Sequence, residues 1–214
     1  MVGQLEIVAK NLLDINAVTL KPDEPFTWAS GLHSPIYTDN RLTISYPYVR
    51  RNIAVGMTEL IKHHLSNVDV IAGVATAVIP HAAYVAELLQ KPLIYVRSKP
   101  KDHGRGKQIE GVLKEGQKVV VIDDLLSTGG SALKAVEAVK AAGGDVIGVV
   151  AIFSYQLPAL DKNFEDAGLP YYTVTNYTTL IETAKKNQMI SDDQLASLHA
   201  WRKDPEKWSQ EHGE

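Results

Sequence analysis

The sequence predicts an α/β fold built on a mostly parallel, twisted β-sheet flanked by helices. Apolar and amphipathic segments alternate through the middle of the chain, as in strand–helix–strand units with right-handed crossovers. The apolar segments are continuous Val/Ile runs, such as KVVVI at 118–122 and DVIGVVAIF at 145–153. Strands that are covered on both faces require such runs. Gly143 and Gly144 end the helix predicted between these two strands.

The elements follow one another in a simple order. Helices are predicted at 5–15 and 48–65, with a hairpin-like stretch rich in Pro, Thr and Tyr at 18–41 between them. The later elements are strands at 68–73, 93–97, 118–122 and 145–153, helices at 80–89 and 131–142, and a polar tail helix. We expect one domain, 1–214, in which residues 1–65 and C-terminal elements form a small hood on a core sheet of about 66–175.

The composition is that of an ordinary globular protein. The 214 residues are 45% hydrophobic and 22% charged, with a formal net charge of -3. A negative balance gives no reason to expect a nucleic-acid or membrane partner, since both usually require a basic surface. The chain has no Cys, which excludes disulfides and thiolate metal sites. The first residues read as an amphipathic helix rather than a signal peptide, so we expect a cytoplasmic protein.

An acidic pair precedes a glycine-rich turn in VVVIDDLLSTGGS at residues 119–131. In parallel sheets, ligands bind beyond the carboxyl ends of the strands, where Asp123 and Asp124 are predicted to lie. The Ser-Thr-Gly-Gly-Ser turn opens a helix, whose free N–H groups and dipole favour an anion. A sugar phosphate fits this arrangement, with the phosphate in the turn and the vicinal hydroxyls on the carboxylates.

The same turn has a simpler interpretation as a helix cap after a strand end. Clusters of Ser, Thr and Gly cap many helices, so the turn alone would favour that interpretation. Two adjacent carboxylates at a buried strand end repel each other and call for a ligand, which favours the functional one. Other phosphate motifs are absent, because the sequence has no G-x-x-x-x-G-K-[ST] and no G-x-G-x-x-G after a strand.

A basic segment follows the strand predicted at 93–97. Five of the 22 Lys and Arg residues lie between Arg97 and Lys107, all at odd positions, together with His103. If this segment is extended, these side chains share one face. A solvated surface hairpin is one interpretation. The other is a loop that closes over a polyanionic leaving group, since like charges on one face repel unless an anion joins them.

Three segments resemble a known family. VVVIDDLLSTGGS resembles the phosphoribosyl pyrophosphate (PRPP) motif of type I phosphoribosyltransferases, and YVRSKPKDHGRGKQIEG resembles the catalytic loop of the orotate-using, bacterial-type members. SGLHSPIY at 30–37 resembles the N-terminal S-G-x-x-S-P-x-Y segment of the same members. The resemblance covers essentially the whole chain. It implies the type I phosphoribosyltransferase fold, Mg²⁺ as cofactor, and a homodimer in which the loop of one subunit reaches its neighbour's active site.

The resemblance also implies a reaction and a role for each matched residue. PRPP and orotate would give orotidine 5′-monophosphate and pyrophosphate. The side chains implied to contact pyrophosphate are Arg97, Lys101 and His103. The carboxylates implied to hold the ribose hydroxyls are Asp123 and Asp124. The residues implied to wrap the 5′-phosphate are Leu125, Leu126, Ser127, Thr128, Gly129, Gly130 and Ser131. Of these, Ser127 would also contact orotate. The implied catalytic residues are Lys101, His103 and Asp124, and no residue is assigned as a direct metal ligand.

The chain departs from the family pattern at four places. Relatives place basic residues where this chain has Ala29, Ala77 and Ser98, and an Arg near the segment that begins at Ser154. No contact is transferred to these positions. Two alternative functions stay open at this point. A purine phosphoribosyltransferase would share the acidic pair and turn but not SGLHSPIY, and a ligand-binding transcriptional regulator would need a basic DNA-binding segment, which the first 65 residues do not offer.

Overall fold

The computed structural model describes residues 2–28, 30–99 and 108–212, although for Val2 only the backbone. The N-terminal part begins with helix α1 (Val2–Asp14) and ends with helix α2 (Pro47–His64). Between them lie strands β1 (Val18–Leu20), β2 (Phe26–Thr27), β3 (His33–Ser34) and β4 (Ile36–Thr38), followed by a 3₁₀ helix (Asn40–Ser45). The predicted hairpin-like stretch is thus two small antiparallel pairs, β1 with β4 and β2 with β3.

The core follows the predicted alternation. Strands β5 (Val70–Val74) and β6 (Leu93–Val96) are joined by α3 (Ile79–Leu89), and β7 (Ile109–Glu110) comes next. Strands β8 (Lys118–Leu126) and β9 (Asp145–Ser154) are joined by α4 (Gly130–Ala141), and α5 (Pro158–Asp166) leads to β10 (Tyr171–Asn176). The chain ends in α6 (Tyr177–Lys186), α7 (Asp192–Lys203) and α8 (Pro205–Glu211).

These strands form one six-stranded sheet in the order β10-β9-β8-β5-β6-β7. All neighbouring strands are parallel except β6 and β7, which are antiparallel. The predicted α/β class with a mostly parallel sheet is therefore confirmed. The sequence analysis did not predict strands β7 and β10 or helices α5 and α6. Strand β7 is only two residues long, and β10, YYTVTN, lacks a Val/Ile run.

Two apolar clusters cover the two faces of the sheet. Val120 and Ile122 of β8 belong to a cluster with α1, α2, α3 and the C-terminal helices. Val119 and Val121 belong to the other cluster, with α4 and α5. Because successive side chains of a strand point to opposite faces, this alternation continues into the acidic pair. Asp123 is thereby directed towards α4, and Asp124 towards the N-terminal strands.

The C-terminal helices pack against the N-terminal strands. The hydroxyl of Ser209 in α8 accepts a hydrogen bond from the backbone N–H of His33 in β3 at 2.8 Å. Trp201 is fully buried, with ring centroids 5.3–5.8 Å from those of Trp28, Tyr155 and Tyr177. This aromatic cluster joins the two ends of the chain beneath the end of β9. Trp208 in α8 is also buried.

Strand β8 is longer than the sequence predicted. It was expected to end at residue 122, but Leu125 pairs with Phe153 and Leu126 with Ser154 in β9. Pairing with a long neighbour thus carries the strand through its two charged residues. Among the described residues, no helix has the length and apolar content needed to cross a membrane.

Candidate active site

The carboxyl ends of the parallel strands place the predicted site residues along one edge of the sheet. Strand β8 lies between β5 and β9, and β6 lies on the far side of β5. Asp123, near the end of β8, is therefore two strand spacings, or about 10 Å, from the end of β6, where Arg97 follows. The structure thus brings together the acidic pair, the turn and the start of the basic segment.

Asp123 is a buried carboxylate with both oxygens engaged. Its Oδ1 accepts from the backbone N–H of Asp124 at 2.9 Å, and its Oδ2 accepts from the hydroxyl of Ser131 at 2.7 Å. The pKa of Asp123 is raised to about 7, chiefly by burial and in part by the charge of Asp124, against the opposing effect of the Ser131 hydrogen bond. Burial also raises the pKa of Asp124. This pair is therefore destabilised as a dianion and suited to ligands that donate hydrogen bonds.

Replacing Asp123 with Asn is expected to stabilise the unliganded protein at pH 8. An unfolded Asp has a pKa near 3.9, whereas that of Asp123 is about 7, so the folded state binds more protons between these values. Stability due to this group therefore falls as pH rises from about 4 to 7. We expect the variant to gain about 1–3 kcal/mol over the original at pH 8 and almost nothing at pH 4.

Urea unfolding of both proteins at pH 4 and pH 8 measures the difference in their free energies of unfolding. The contributions of all other titrating groups cancel in this difference, because the two proteins share them. Asn can accept from the Asp124 N–H and donate to the Ser131 hydroxyl oxygen, so a variant less stable than the original at pH 8 would contradict the raised pKa. Binding of a sugar phosphate is expected to weaken sharply in the variant, since an amide cannot replace a carboxylate as a double acceptor.

The turn after β8 presents backbone N–H groups at the start of α4. The first N–H groups of a helix have no partner within it, and among the described residues no side chain caps α4 at Gly129. Thr128 is exposed, and its carbonyl accepts from the side chain of Asn163 at 2.9 Å, which fixes the turn on α5. Leu126 is fully buried, so its side chain cannot contact a ligand. Such a helix start favours a phosphate.

Gly129 is required by this turn for two reasons. Its φ is +80°, and a Cβ there would lie 2.5 Å from Cε2 of Phe164. We expect Gly129→Ala to lower the free energy of unfolding by about 2–4 kcal/mol, because left-handed strain adds to overpacking. Gly116→Ala is the matched control, since its φ is +75° but the added Cβ meets nothing within 4 Å.

Thermal or urea unfolding of the two variants measures the difference, and the control is expected to lose only about 1 kcal/mol. Equal losses for the two variants would mean that Phe164 does not constrain the turn. Phosphate binding is expected to weaken in the Gly129 variant alone.

The 3₁₀ helix contributes residues that the sequence did not single out. Nδ2 of Asn40 donates to the backbone carbonyl of Asp124 at 2.7 Å, which ties this helix to the acidic pair. Arg41 forms a bidentate ion pair with Asp39, and the charge of Arg41 acts to lower the pKa of Asp124. Asn40 and Asp124 are 84 residues apart in the sequence, so their contact could not be predicted from a local pattern. The polar segment Asp39-Asn-Arg41, one residue after SGLHSPIY, was the available signal for the ion pair between Arg41 and Asp39.

His81 anchors the 3₁₀ helix to α3. Its Nε2 lies 2.8 Å from Oγ1 of Thr43, and that hydroxyl donates to the carbonyl of Asn40. Since the hydroxyl has one hydrogen, Nε2 is the donor. Burial lowers the pKa of His81 to about 4, with a smaller effect from Arg50. The contact with Thr43 makes His81 a support for the site.

Only the first part of the basic segment is described. Arg97 and Gln108 exchange hydrogen bonds through the Arg97 N–H to the Gln108 carbonyl at 2.9 Å and the Gln108 amide to the Arg97 carbonyl at 2.8 Å. The guanidinium of Arg97 is 3.5 Å from a carboxylate oxygen of Glu110. Lys101 and His103, predicted to be catalytic, lie outside the described residues, as do Arg105, Lys107 and Ala29.

The segment after β9 is engaged in structure. Oε1 of Gln156 accepts from the backbone N–H and the hydroxyl of Thr178 at 3.0 and 2.6 Å, and from Arg202 at 3.3 Å. Gln156 itself has a φ of +55°. These bonds occupy the side chain at the end of β9 where relatives place an Arg near the base. The side-chain oxygen of Gln156 is therefore already engaged within the fold.

Comparisons with known proteins place this site in a family. A family model described as "Phosphoribosyl transferase domain" matches residues 49–193. An orotate phosphoribosyltransferase of Lactiplantibacillus plantarum is 64% identical over 201 residues, covering 94% of this chain and 95% of that protein.

Two solved structures are also similar to this chain. A Leishmania donovani UMP synthase has a TM-score of 0.79 and 31% identity over 92% of this chain, which spans 42% of that chain. A Mycobacterium tuberculosis orotate phosphoribosyltransferase in complex with PRPP has a TM-score of 0.65 and 26% identity, covering 83% of this chain and 98% of that one.

Proposed function

The chain belongs to the orotate phosphoribosyltransferase family, and from this premise we propose how its residues carry out the reaction. The enzyme transfers the phosphoribosyl group of PRPP to orotate in pyrimidine biosynthesis, giving orotidine 5′-monophosphate and pyrophosphate. The observation that carries the assignment of the site is the acidic pair of buried Asp123 and half-buried Asp124, which is followed by the turn at the uncapped start of α4.

The turn between β8 and α4 binds the 5′-phosphate in this proposal. The residues that form the cup are Leu125, Leu126, Ser127, Thr128, Gly129, Gly130 and Ser131. Backbone N–H groups supply most of the hydrogen-bond donors of the cup, because the hydroxyl of Ser131 already donates to Asp123. The hydroxyls of Ser127 and Thr128 remain as further donors, and Ser127 also contacts orotate.

Asp123 and Asp124 accept hydrogen bonds from the ribose hydroxyls. Two vicinal hydroxyls offer two donors, which match the acceptors of an acidic pair whose carboxylates otherwise repel each other. The pair thereby fixes the ribose while the bond from C1′ to pyrophosphate breaks and the ring nitrogen of orotate bonds to C1′. Asp124 is the more exposed of the two and faces the ring of the ribose, where positive charge develops.

The basic segment stabilises the leaving group. Arg97, Lys101 and His103 bind pyrophosphate, whose negative charge grows as the C1′–O bond breaks. Lys101 or His103 supplies a proton to it, and His suits that role because its ordinary pKa is near neutrality. The position of Arg97 at the end of β6, on the same edge as Asp123, supports this assignment.

The residues present fit a Mg²⁺ ion that enters with the substrate. In the part of the chain that the structure describes, no group of three or more His, Asp or Glu side chains could hold a metal. Mg²⁺ is commonly bound through substrate phosphates and water rather than by an all-protein cage. We propose that PRPP and water supply its ligands, while Asp123 and Asp124 hold that substrate. When bound, Mg²⁺ offsets the charge of the diphosphate.

The homodimer is proposed to form on an apolar surface beside the site. The exposed members of this surface are Leu42, Ile44, Tyr46, Tyr48, Tyr84 and Leu88. Arg50 joins its parts, because Nη1 donates to the carbonyl of Ile44 at 2.9 Å and the guanidinium lies over the ring of Tyr84. The 3₁₀ helix continues from this surface to Asn40 and hence to Asp124. A second copy seated here lies next to the site, as a shared catalytic loop requires.

Tyr84→Glu is expected to shift the protein from dimer to monomer, because it buries an unpaired charge in the interface. Val112→Glu is the control, since Val112 is 73% exposed and lies outside this surface. Analytical ultracentrifugation at micromolar concentration measures the mass of each. A dimeric Tyr84 variant, or a monomeric original protein, would contradict the proposal.

The cytoplasmic location expected from the sequence stays a prediction.

A spectrophotometric assay tests the proposed substrate selectivity. Orotate is expected to disappear only when PRPP and Mg²⁺ are both present, with one pyrophosphate released for each orotate consumed. Adenine, guanine and hypoxanthine in place of orotate are expected to release no pyrophosphate. Consumption of a purine instead would favour the alternative of a purine phosphoribosyltransferase.

A further inference from the structure

The guanidinium of Arg41 is held in a fixed orientation at the surface of the site. Its Nε and Nη2 donate to the two carboxylate oxygens of Asp39 at 2.7 and 2.8 Å. Asp39 in turn accepts from the backbone N–H of Arg41, so the pair is locked within the first turn of the 3₁₀ helix. The guanidinium has five N–H donors, and this ion pair uses two of them. The side chain is 66% exposed, so the remaining donors are accessible.

The same surface contains Asp124 and an exposed aromatic ring. Asn40, the neighbour of Arg41, bonds the carbonyl of Asp124 at 2.7 Å. Tyr37, on β4, is 47% exposed, with its ring centroid 5.6 Å from that of Phe26. The charge of Arg41 lowers the pKa of Asp124, and Tyr37 and Asp124 in turn favour the charged form of Arg41. A planar ring, a cation and the ribose-binding carboxylate therefore lie together.

Orotate differs from the other common pyrimidine bases in carrying a carboxylate on its ring. A guanidinium matches such a carboxylate in both charge and geometry. This chain has Ala29, Ala77 and Ser98 where relatives have basic residues, and Gln156 after β9 is engaged by Thr178 and Arg202. The guanidinium of Arg97 faces Glu110. Arg41 is the described cation whose charge acts on Asp124 and whose second edge is open.

We propose that Arg41 is a specificity-determining residue, which binds the ring carboxylate of orotate with Asp39 fixing its orientation. Two N–H donors of one guanidinium match the two oxygens of a carboxylate. The exposed ring of Tyr37 offers a flat surface for the pyrimidine beside it. This inference rests on the proposed function and goes beyond it, because it names the group that separates orotate from uracil.

Binding of two mononucleotides tests it without turnover. Orotidine 5′-monophosphate and uridine 5′-monophosphate differ only in the carboxylate, and isothermal titration calorimetry gives the Kd of each. The original protein is expected to prefer the orotidine nucleotide. Arg41→Met is expected to lose about 10- to 100-fold in affinity for it, with the uridine nucleotide unchanged within about threefold. Arg41→Lys is expected to fall between, since it keeps the charge without the fork.

Matched variants separate this role from a structural one. Arg51→Met removes another exposed Arg, on α2, and is expected to leave both Kd values unchanged. In steady state, Arg41→Met is expected to raise KM for orotate while KM for PRPP stays constant. Equal weakening of the binding of both nucleotides would indicate a merely structural role and overturn the proposal, and so would a preserved preference in Arg41→Met. A further variant, Arg202→Met, removes the cation that contacts Gln156. A loss of preference confined to that variant would also overturn the proposal. Failure of the proposed function would instead appear as no orotate consumption by the original protein.

Discussion

Lys101→Ala is expected to lower kcat by about 10²–10³-fold while the Kd for PRPP changes little. Lys101 lies in the centre of the basic segment, which follows the strand whose end faces the same edge as Asp123. A cation that acts on the growing charge of pyrophosphate stabilises the transition state more than the bound substrate, so its loss appears in kcat. His103→Ala is expected to behave in the same way.

Steady-state kinetics for both substrates and calorimetric titration with PRPP measure these quantities. Lys99→Ala is the control, because Lys99 belongs to the same segment and is exposed, but no motif position assigns it a contact. We expect it to stay within about threefold of the original protein. Near-normal turnover in both the Lys101 and the His103 variants would remove the catalytic role of the segment.

Two inactive variants are expected to restore activity when they are mixed. In a mixed dimer of Lys101→Ala and Asp124→Asn subunits, one site combines the intact Asp124 of the first subunit with the intact Lys101 of the second. Random exchange makes half of the dimers mixed, each with one intact site of two, so about a quarter of the original activity should return. Each variant alone is expected to be nearly inactive.

Activity and native mass spectrometry of the same mixture measure recovery and exchange together. Recovery requires that the loop acts across the dimer, because a loop acting within its own subunit leaves every site with one defect. Full subunit exchange without any recovery would show that the loop acts within its own subunit.

The acidic pair and the turn were predictable because their signals are local. Asp123 and Asp124 are the only charges between Lys118 and Lys134, and Ser-Thr-Gly-Gly-Ser follows within a few residues. Val/Ile runs placed these residues at the correct edge of the sheet. The predicted end of β8 at residue 122 was wrong, because the pairing of Leu125 and Leu126 with β9 depends on tertiary structure. The division into a hood and a core sheet stays a prediction.

The supporting residues could not be predicted from local patterns. Asn40 and Asp124 are 84 residues apart, and Thr43 and His81 are 38 apart. Each is a short polar side chain whose role depends on packing between a 3₁₀ helix, a strand end and a helix start. The resemblance to relatives did not reveal these supporting residues. It pointed instead to basic residues of the relatives at positions where this chain has Ala29, Ala77 and Ser98. The partner of Gln156 at Thr178 is likewise visible only in the fold.

The most direct test of the site is the structure of the protein crystallised with Mg²⁺ and PRPP. The 5′-phosphate is expected in the turn at 125–131, with its oxygens within about 3 Å of the first N–H groups of α4. The ribose hydroxyls are expected within hydrogen-bond distance of the carboxylates of Asp123 and Asp124. A 5′-phosphate bound elsewhere, or ribose hydroxyls that contact neither carboxylate, would contradict the assignment of this site.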